Sequence, residues 1–413
     1  MKMVKSLILG TAVAFAASAG AQAADLPVKA KAAGYVKICP QYGPGFYYIP
    51  GTDICLKVGG LVFAEAGYHA SGSITNLTYG GTWSRDDTSL QWRSRGYVSM
   101  DARTATPYGV LRSFILGGFE QRTNNAANAP APGAFVQYAF IQFAGFTAGT
   151  ANSFFDFGAN YLSLSVSSNP WNWTNVFAYT ANLGNGLSAS ISLEDSSTSK
   201  IGPVATIQSQ SPSIVGNIRL DQAWGSAQVM AAAQEGRFQI NGTPANNNDW
   251  GWAIGAGVEI KLPMLGAGDT IKVMAVTSEG ATEYTGLSGS PYGGIGGVGV
   301  GFGTAGTGFA TVTDWVNATG VNTGTDASSV MVQYKHNWTP TVNSNVHVGY
   351  NEAYNVTAAG GFGGLQIVQY GHSLKWSPVK DLTLALDVLY TETDVNNVET
   401  DKVATWFRVT RTF

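Results

Sequence analysis

Apolar and polar residues alternate along most of this sequence with a period of two. This is the pattern of β-strands that bury one face and wet the other. The stretch GLSASISLED is the clearest case, because Leu187, Ala189, Ile191 and Leu193 share one parity while serines and Glu194 occupy the other. The same alternation recurs in WGWAIGAGVEIKL and DLTLALDVLYTE. A chain patterned in this way is predicted to be all-β.

About sixteen such segments can be counted, with boundaries uncertain by a few residues. They are expected at residues 54–68, 89–104, 109–122, 134–144, 146–152, 175–183, 187–195, 213–223, 226–236, 250–262, 269–279, 328–338, 345–355, 365–376, 382–393 and 402–413. Short turns alternate with long connections, the latter near residues 69–88, 153–174, 196–212, 237–249 and 280–327. Short turns on one rim, longer loops on the other and an even strand number are typical of a bacterial transmembrane barrel.

The composition supports a membrane barrel. Only 12% of the 413 residues are charged and the mean hydropathy is +0.03, whereas ordinary globular domains carry roughly 25% charged residues. Beyond the N-terminal segment no apolar run reaches the roughly 18 residues that a membrane-spanning helix needs. Any crossing of a membrane is therefore expected to use strands, and a barrel this wide encloses a lumen lined by polar residues.

The N-terminal residues 1–23 have the features of a secretory signal. Lys2 and Lys5 form a basic start, residues 7–20 an apolar centre, and Ala21-Gln22-Ala23 a cleavage site of small residues. An exported chain with only two cysteines, Cys39 and Cys55, predicts a disulfide rather than a metal or redox site. The predicted organisation is a signal at 1–23, a disulfide-containing segment at 24–53 and a barrel at 54–413.

Charged residues on two neighbouring segments fix which face of the barrel meets water. They are Arg93, Arg95, Asp101 and Arg103 on the first segment, and Arg112, Glu120 and Arg122 on the second. On each segment they share one parity, and slipping the register by one residue would turn them toward lipid at about 2–4 kcal/mol for each arginine near the midplane. They are predicted to form a basic pore wall that sorts ions. The alternative is that they are scattered lumen charges that neutralise one another.

The connection at residues 153–173 is too apolar for a solvated surface loop, and we expect it to fold into the lumen and narrow it. Asp156 at its start would then face the arginines and set up a transverse field. The alternative is an ordinary packed loop at one rim. At the other end of the chain, residues 404–413 alternate to the last position, which predicts a closing strand with Phe413 at an aromatic belt.

These segments together resemble the general porins of alphaproteobacterial outer membranes. The resemblance is most specific in YVKICPQYGPGFYYIPGTDICLKVGG, QWRSRGYVSMDART, AFIQFAGFTAGTANSFFDF and the terminal Phe413. It implies a sixteen-stranded antiparallel transmembrane β-barrel with an inward-folded third long loop. It also implies a basic wall of Arg93, Arg95, Arg103 and Arg112. The uncharged Thr150-Ala151-Asn152 departs from relatives that carry a basic residue there, which leaves ion selectivity open.

The resemblance further implies a homotrimer in outer-membrane lipid and lipopolysaccharide, with passive diffusion of ions and small hydrophilic solutes. Phe413 would belong to the signal read by the barrel-assembly machinery. A solute-specific channel is the alternative function. The acidic net charge of −3 and the basic wall have opposite signs, and the wall is expected to dominate because salt screens charges beyond about 10 Å.

Other signals in the sequence are weak. GFGTAG at residues 301–306 matches a dinucleotide motif but lacks the helix that should follow it. The histidines His69, His336, His347 and His372 show no metal-ligand spacing, and His336 is expected at a membrane interface. No catalytic constellation is evident, so we expect neither an enzyme nor a surface-loop adhesin, and no cofactor, metal or nucleic-acid partner.

Overall fold

The structure is a computed structural model, and the described residues are 37–69, 74–75, 82–83, 90–124, 129–163, 166–170, 172–195, 211–236, 239–240, 243–244, 249–287, 314–318, 321–358, 361–395 and 398–413. The predicted signal at 1–23 and the glycine-rich motif at 301–306 lie outside them.

Sixteen long strands form one antiparallel sheet. They are β1 Cys55–His69, β2 Leu90–Thr106, β3 Gly109–Asn124, β4 Ala129–Phe143, β5 Phe146–Asn152, β6 Trp173–Gly184, β7 Leu187–Glu194, β8 Ser213–Gln222, β9 Gly225–Gly236, β10 Asp249–Lys261, β11 Thr270–Glu279, β12 Asp326–Asn337, β13 Val342–Ala358, β14 Gly361–Val379, β15 Leu382–Val395 and β16 Val398–Thr412. Each strand pairs with its neighbours in sequence, and β16 pairs with β1, so the barrel is closed. The predicted sixteen-stranded barrel is confirmed.

The closing seam continues to the last residue. Phe413 donates its N–H to the carbonyl of Gly60 at 3.0 Å, and Gly60 donates to the carbonyl of Phe413 at the same distance. A side chain at Gly60 would collide with the Phe413 ring, 2.7 Å from its Cβ position. N-terminal to Gly60, β1 has no partner from β16, and a two-residue strand, Tyr47–Tyr48, pairs with this part of β1 instead.

One rim of the barrel is made of tight turns. Asn185 and Gly186 between β6 and β7 have positive φ values of 51° and 76°, the conformation of hairpin turns that match the twist of the strands. The opposite rim carries the long connections that the sequence predicts, but three of its connections, at 125–128, 359–360 and 396–397, are short. There β13 and β14 extend beyond the predicted 345–355 and 365–376, because the backbone ladder continues where the sequence alternation fades.

The outer face carries the apolar parity. Val229 and Ile254 are 58% and 53% exposed in the middle of their strands, as expected for side chains that contact lipid. Tyr334, His336 and Trp338 lie together near the turn rim, with His336 and Trp338 rings in edge contact at 4.3 Å, which fits the predicted interfacial belt. Among the described residues, no helix has the length and apolar character needed to cross a membrane.

The lumen differs from the uniformly polar interior that the barrel width predicts. A buried apolar cluster lies inside the barrel, where residues of the loop at 153–172 pack against the walls of β8–β12, β15 and β16. Its members are Phe155, Phe157, Leu162, Val166, Val215, Met230, Ala232, Ala253, Met274, Val276, Ala281, Tyr284, Met331, Leu389, Ala404 and Trp406. The wall beneath the loop is apolar because the loop, and not water, covers it.

Candidate functional site

The two charged segments of the sequence become neighbouring strands. In the β2–β3 ladder Arg95 lies opposite Glu120, and Arg103 lies opposite Arg112. The outward positions between them include Val98, which is exposed to the outside of the barrel. All the described charged side chains of this set therefore face the lumen. Arg122 pairs with Arg93 through the backbone, and its side chain lies outside the described residues.

The uppermost group is a buried ion cluster across the closing seam. Glu65 of β1 accepts hydrogen bonds from Arg93 of β2 and from Nε of Arg408 of β16, the latter at 2.6 Å. The side chains of Arg93 and Glu65 are 1% and 0% exposed. Phe63 lies beneath both guanidiniums, with its ring centroid 5.2 Å from Arg93 and 4.6 Å from Arg408. One carboxylate of β1 thus binds arginines of both neighbouring strands, β2 and β16, and links the three strands across the closing seam.

Arg95 and Glu120 form a second pair one step further along the wall. Arg95 donates from Nε to Glu120 at 2.8 Å and from Nη1 to the hydroxyl of Tyr97 at 2.8 Å. Its guanidinium also stacks 4.4 Å from the Phe135 ring centroid. Burial by aromatic rings keeps this arginine fixed rather than free in the lumen.

A third group lies nearest the turn rim and contains Arg103 and Arg112, which we call the lower pair. Arg103 and Arg112 both bind Asp101, each through Nε at 3.0 Å and through Nη2 at 2.7 Å and 3.0 Å respectively. Their side chains are 28% and 27% exposed. Two positive charges share one negative charge here, so the lower pair carries an excess of one positive charge that is accessible to water.

The wall contains further members beyond the charged residues of the two predicted segments. Glu65, Phe63 and Arg408 were not predicted, although each lies on the lumen parity of its own strand. Parity assigns a face but not a height along the barrel. The height depends on the register between β16 and β1, for which a single sequence carries no signal.

The loop at residues 153–172, which we call the inner loop, crosses the lumen and is bound to the opposite wall. Lys272 of β11 donates from Nζ to the carbonyl of Ala159, and Lys375 of β14 donates to the carbonyl of Tyr161, both at 2.7 Å. The hydroxyl of Tyr161 donates to Glu259 of β10 at 2.7 Å. Two ammonium groups therefore hold the backbone on either side of one residue.

The returning half of the inner loop is fixed by side chains of β13–β15. The N–H of Ser163 donates to Asp387 at 2.8 Å, and the N–H of Ser167 donates to Gln369 at 2.7 Å. The hydroxyl of Ser168 bonds Asn351 at 2.7 Å. Among the described residues no hydrogen bond joins the inner loop to β2 or β3, so these contacts leave the arginine wall uncovered.

Glycines on the lumen face make room for the loop. A Cβ at Gly257 would lie 2.3 Å from the Phe157 ring, and one at Gly371 would lie 2.5 Å from Leu162. Lumen-facing glycines in long strands are thus a sequence signal for an inserted loop.

Asp156 is held within the base of the inner loop. Its Oδ2 accepts the N–H of Asn172 at 3.2 Å, while Oδ1 is buried without a hydrogen bond among the described residues. Burial, together with the nearby Glu194 and Glu283, raises the pKa of Asp156 well above its ordinary value. Its carboxylate is bonded inside the loop and not to the arginines, so a facing acid is not the partner of the basic wall in this structure.

We expect replacement of Lys375 by methionine to loosen the inner loop. A hydrogen bond from a charged donor contributes about 1.5–3 kcal/mol, and Lys375→Met removes one of the two ammonium contacts while keeping the length of the side chain. Amide hydrogen exchange of the peptide spanning residues 159–163 should become faster.

Lys335→Met is the matched control. Lys335 faces the lumen from β12, two strands away, but it makes no hydrogen bond or ion pair within the described part of the chain. Equal exchange rates in the two variants would show that Lys375 does not hold the loop.

A buried group of hydrogen bonds, which we call the Asp314 cluster, joins the long connection after β11 to the barrel. Asp314 accepts the N–H and the hydroxyl of Thr282 through Oδ1, both at 2.7 Å, and the amide of Gln234 through Oδ2 at 3.0 Å. Burial raises the pKa of Asp314 from its ordinary value of 3.8 to about 6. Burial therefore favours the protonated acid, although the hydrogen bonds from Thr282 and Gln234 favour the carboxylate.

The Asp314 cluster should become less stable as the pH rises. Because the folded pKa is raised, its stabilising contribution is complete below pH 3.8 and is lost as the pH passes through about 6. Protection of residues 281–287 against hydrogen exchange should fall by up to about 100-fold between pH 4 and pH 7. Asp314→Asn should flatten that profile because it removes the titrating group. The amide of the variant can keep the contact by donating to Oε1 of Gln234, which is buried without a partner among the described residues. An unchanged slope in the variant would assign the effect to another group.

These features define a class of protein. A closed barrel with an apolar outer face, a charged interior and a loop folded across its lumen is a transmembrane barrel of the outer-membrane type. Among the residues that the structure describes, no three His, Cys, Asp or Glu side chains are grouped to hold a metal ion.

Comparison with known proteins gives the family. The family model described as the porin subfamily matches residues 25–411, and the chain belongs to that family. Porin Omp2b of Brucella melitensis is 33% identical over 239 residues, which are 54% of this chain and 64% of that porin. The match thus spans less than two thirds of the relative. Together with the barrel, family membership places the protein in the outer membrane, which it crosses many times.

Solved structures agree on the fold. The outer membrane channel DcaP of Acinetobacter baumannii superposes with a TM-score of 0.70 at 13% identity, covering 89% of this chain and 99% of DcaP. OmpF of Salmonella typhi gives a TM-score of 0.52 at 13% identity, covering 87% of this chain and 98% of that structure. At such identities the likeness concerns architecture alone.

Proposed function

We propose that the protein is a general diffusion porin, which lets ions and small hydrophilic solutes cross the outer membrane through a water-filled channel. The observation that supports this most directly is the placement of the inner loop. Its described hydrogen bonds join it to β7–β15, while the charged side chains of the wall come from the remaining arc, β16 and β1–β3. A passage between a fixed loop and a charged wall selects solutes by size and charge.

The charges along that wall favour a weak preference for anions. Arg95 is neutralised by Glu120, whereas Arg93 and Arg408 share Glu65 and the lower pair shares Asp101. Two arginines for each of two carboxylates leave positive charge in the lumen. With Asp156 bonded inside the loop, the described contacts bring no acid from the loop to balance it.

Reconstitution into planar bilayers tests the proposal. We expect stepwise, nearly ohmic conductance increments and a small reversal potential of the anion-preferring sign under a potassium chloride gradient. Folded protein that leaves the membrane silent would contradict the proposal. Liposome swelling with neutral sugars of increasing size would give the size limit.

A solute-specific channel is the second candidate, and one observation favours it. The arginines of the wall stack against aromatic rings at three heights, including Phe63, Phe135 and Phe140. Such a column could hold an anionic solute by ion pairs with the guanidiniums, or an aromatic solute by cation–π contacts. Concentration-dependent block of the current by one solute, and not by others of equal size and charge, would support it over free diffusion.

The assembly partners are also part of the proposal. We expect a homotrimer in outer-membrane lipid and lipopolysaccharide. The pairing of Phe413 with Gly60 is compatible with a role of this residue in recognition by the barrel-assembly machinery. The family is one of channels, so we expect no hydrolase activity. Cross-linking in membranes would test the trimer.

A further inference from the structure

The residues before the barrel form a compact unit, which we call the disulfide segment, residues 37–54. The disulfide joins Cys39 to Cys55 at the start of β1, as the sequence predicts, and both cysteines are fully buried. The N–H of Cys39 donates to the carbonyl of Phe46 at 2.9 Å, and that of Tyr48 to Lys37 at 2.8 Å. These bonds fold the segment back on itself.

The disulfide segment covers part of the lumen face at the turn rim. Cys55 and Lys57 have the same parity on β1 as Glu65, whose side chain lies in the lumen. Phe46 is buried, and its ring centroid lies 5.9 Å from Nζ of Lys57. The chain from Cys39 to Phe46 therefore lies on the inner side of the wall, at the opposite end of the barrel from the base of the inner loop.

The same segment contacts the lower pair. Arg103 lies directly opposite Cys55 in the β1–β2 ladder. Its guanidinium is 5.0 Å from the ring centroid of Phe46 and 5.7 Å from that of Tyr42. The aromatic rings hold the arginine from one side, and Asp101 holds it from another.

The lower pair keeps donors available to a ligand. Each oxygen of Asp101 already accepts two N–H groups, one from each arginine, so the carboxylate is saturated. Nη1 of Arg103 makes no hydrogen bond within the described residues, and the side chain is partly exposed. On the opposite side of this rim the charges of Arg219 and Asp221 balance.

We propose that the disulfide segment and the lower pair form a second ion-selecting station at the turn rim, in series with the inner loop. The station binds small anions such as inorganic phosphate or simple carboxylates. This station rests on the proposed channel function. Arg103 and Arg112 supply the charge, and Tyr42 and Phe46 position Arg103 and narrow the mouth. Ions that pass the inner loop meet this site before leaving the barrel.

Replacing the arginine tests the selecting role. In planar bilayers, Arg103→Gln should lower the anion-to-cation permeability ratio by about threefold, as expected for one charge removed several ångström from the ion path. Arg103→Lys should keep most of the preference because it keeps the charge. Arg411→Gln is the control, since Arg411 lies at the same rim but on the outer parity of β16 and bonds the carbonyl of Lys380. It should leave the ratio unchanged.

Opening the disulfide tests the narrowing role. The double variant Cys39→Ser, Cys55→Ser should conduct more per channel and should be blocked less by inorganic phosphate, and a reductant should change the native channel in the same direction but not the variant. Heat-modifiable migration on gels establishes that each variant is folded. A native channel that conducts, with folded Arg103→Gln and serine variants that match it in selectivity, conductance and phosphate block, would overturn the station and leave the channel intact. A silent native protein would overturn both.

Discussion

Glu65→Gln should destabilise the barrel by about 3–5 kcal/mol, the usual cost of breaking a buried ion pair. The change removes the single negative charge between Arg93 and Arg408 and replaces one of the two accepting oxygens with an NH2 group that faces a guanidinium. Both arginines belong to strands that meet β1 on either side of the closing seam. Urea unfolding in lipid bilayers should show the loss, and less of the chain should reach the heat-resistant form on gels.

Asp221→Asn provides the comparison. It breaks an arginine–carboxylate pair of the same chemistry, but the side chain of Asp221 is 57% exposed, and exposed pairs contribute less than about 1 kcal/mol. If the two variants lost similar stability, burial of the seam cluster would not be the reason for its effect.

Ile254→Arg should cost about 2–4 kcal/mol, because it places a guanidinium in the hydrocarbon layer from the middle of β10. Ile254 faces outward between Ala231 of β9 and Thr277 of β11. The substitution adds no clash, since the side chain points away from the barrel. Its effect should therefore measure transfer from water to lipid and not a packing defect.

The same change at the end of the strand separates depth from chemistry. Ile260 has the outward parity of Ile254 and lies next to the turn rim, where arginine should cost only about 0–1 kcal/mol. Equal losses at the two positions would mean that residue 254 does not sit deeper in lipid than residue 260.

The sequence predicted the features of this protein that repeat along the chain. Strand positions, the parity that faces lipid and the barrel closure follow from alternation, and the structure confirms them. The lumen parity of β11 and β12 was expected to be polar, yet Met274 and Met331 are buried there. Alternation reports which face a residue occupies but not whether water or a folded loop covers that face.

Features that depend on a single long-range contact were not predictable. The parity of Glu65 was available, but its two arginine partners come from strands at opposite ends of the chain. Asp156 was expected to face the arginines because its loop enters the lumen. Its actual orientation depends on the loop backbone, which brings the N–H of Asn172 within reach. Apolar content predicts that a loop is buried but not which way one carboxylate turns.

The central claim is that one parity of every strand contacts acyl chains while the inner loop lies inside the barrel. Carbene labelling from a lipid-soluble precursor in native-like bilayers, read by peptide mass spectrometry, tests it without any substitution. We predict label on outward residues such as Val229, Ile254 and Leu386, and none on Phe155 or Leu162 of the inner loop. Label on the inner loop equal to that on Ile254, or concentrated on the lumen parity, would contradict the account.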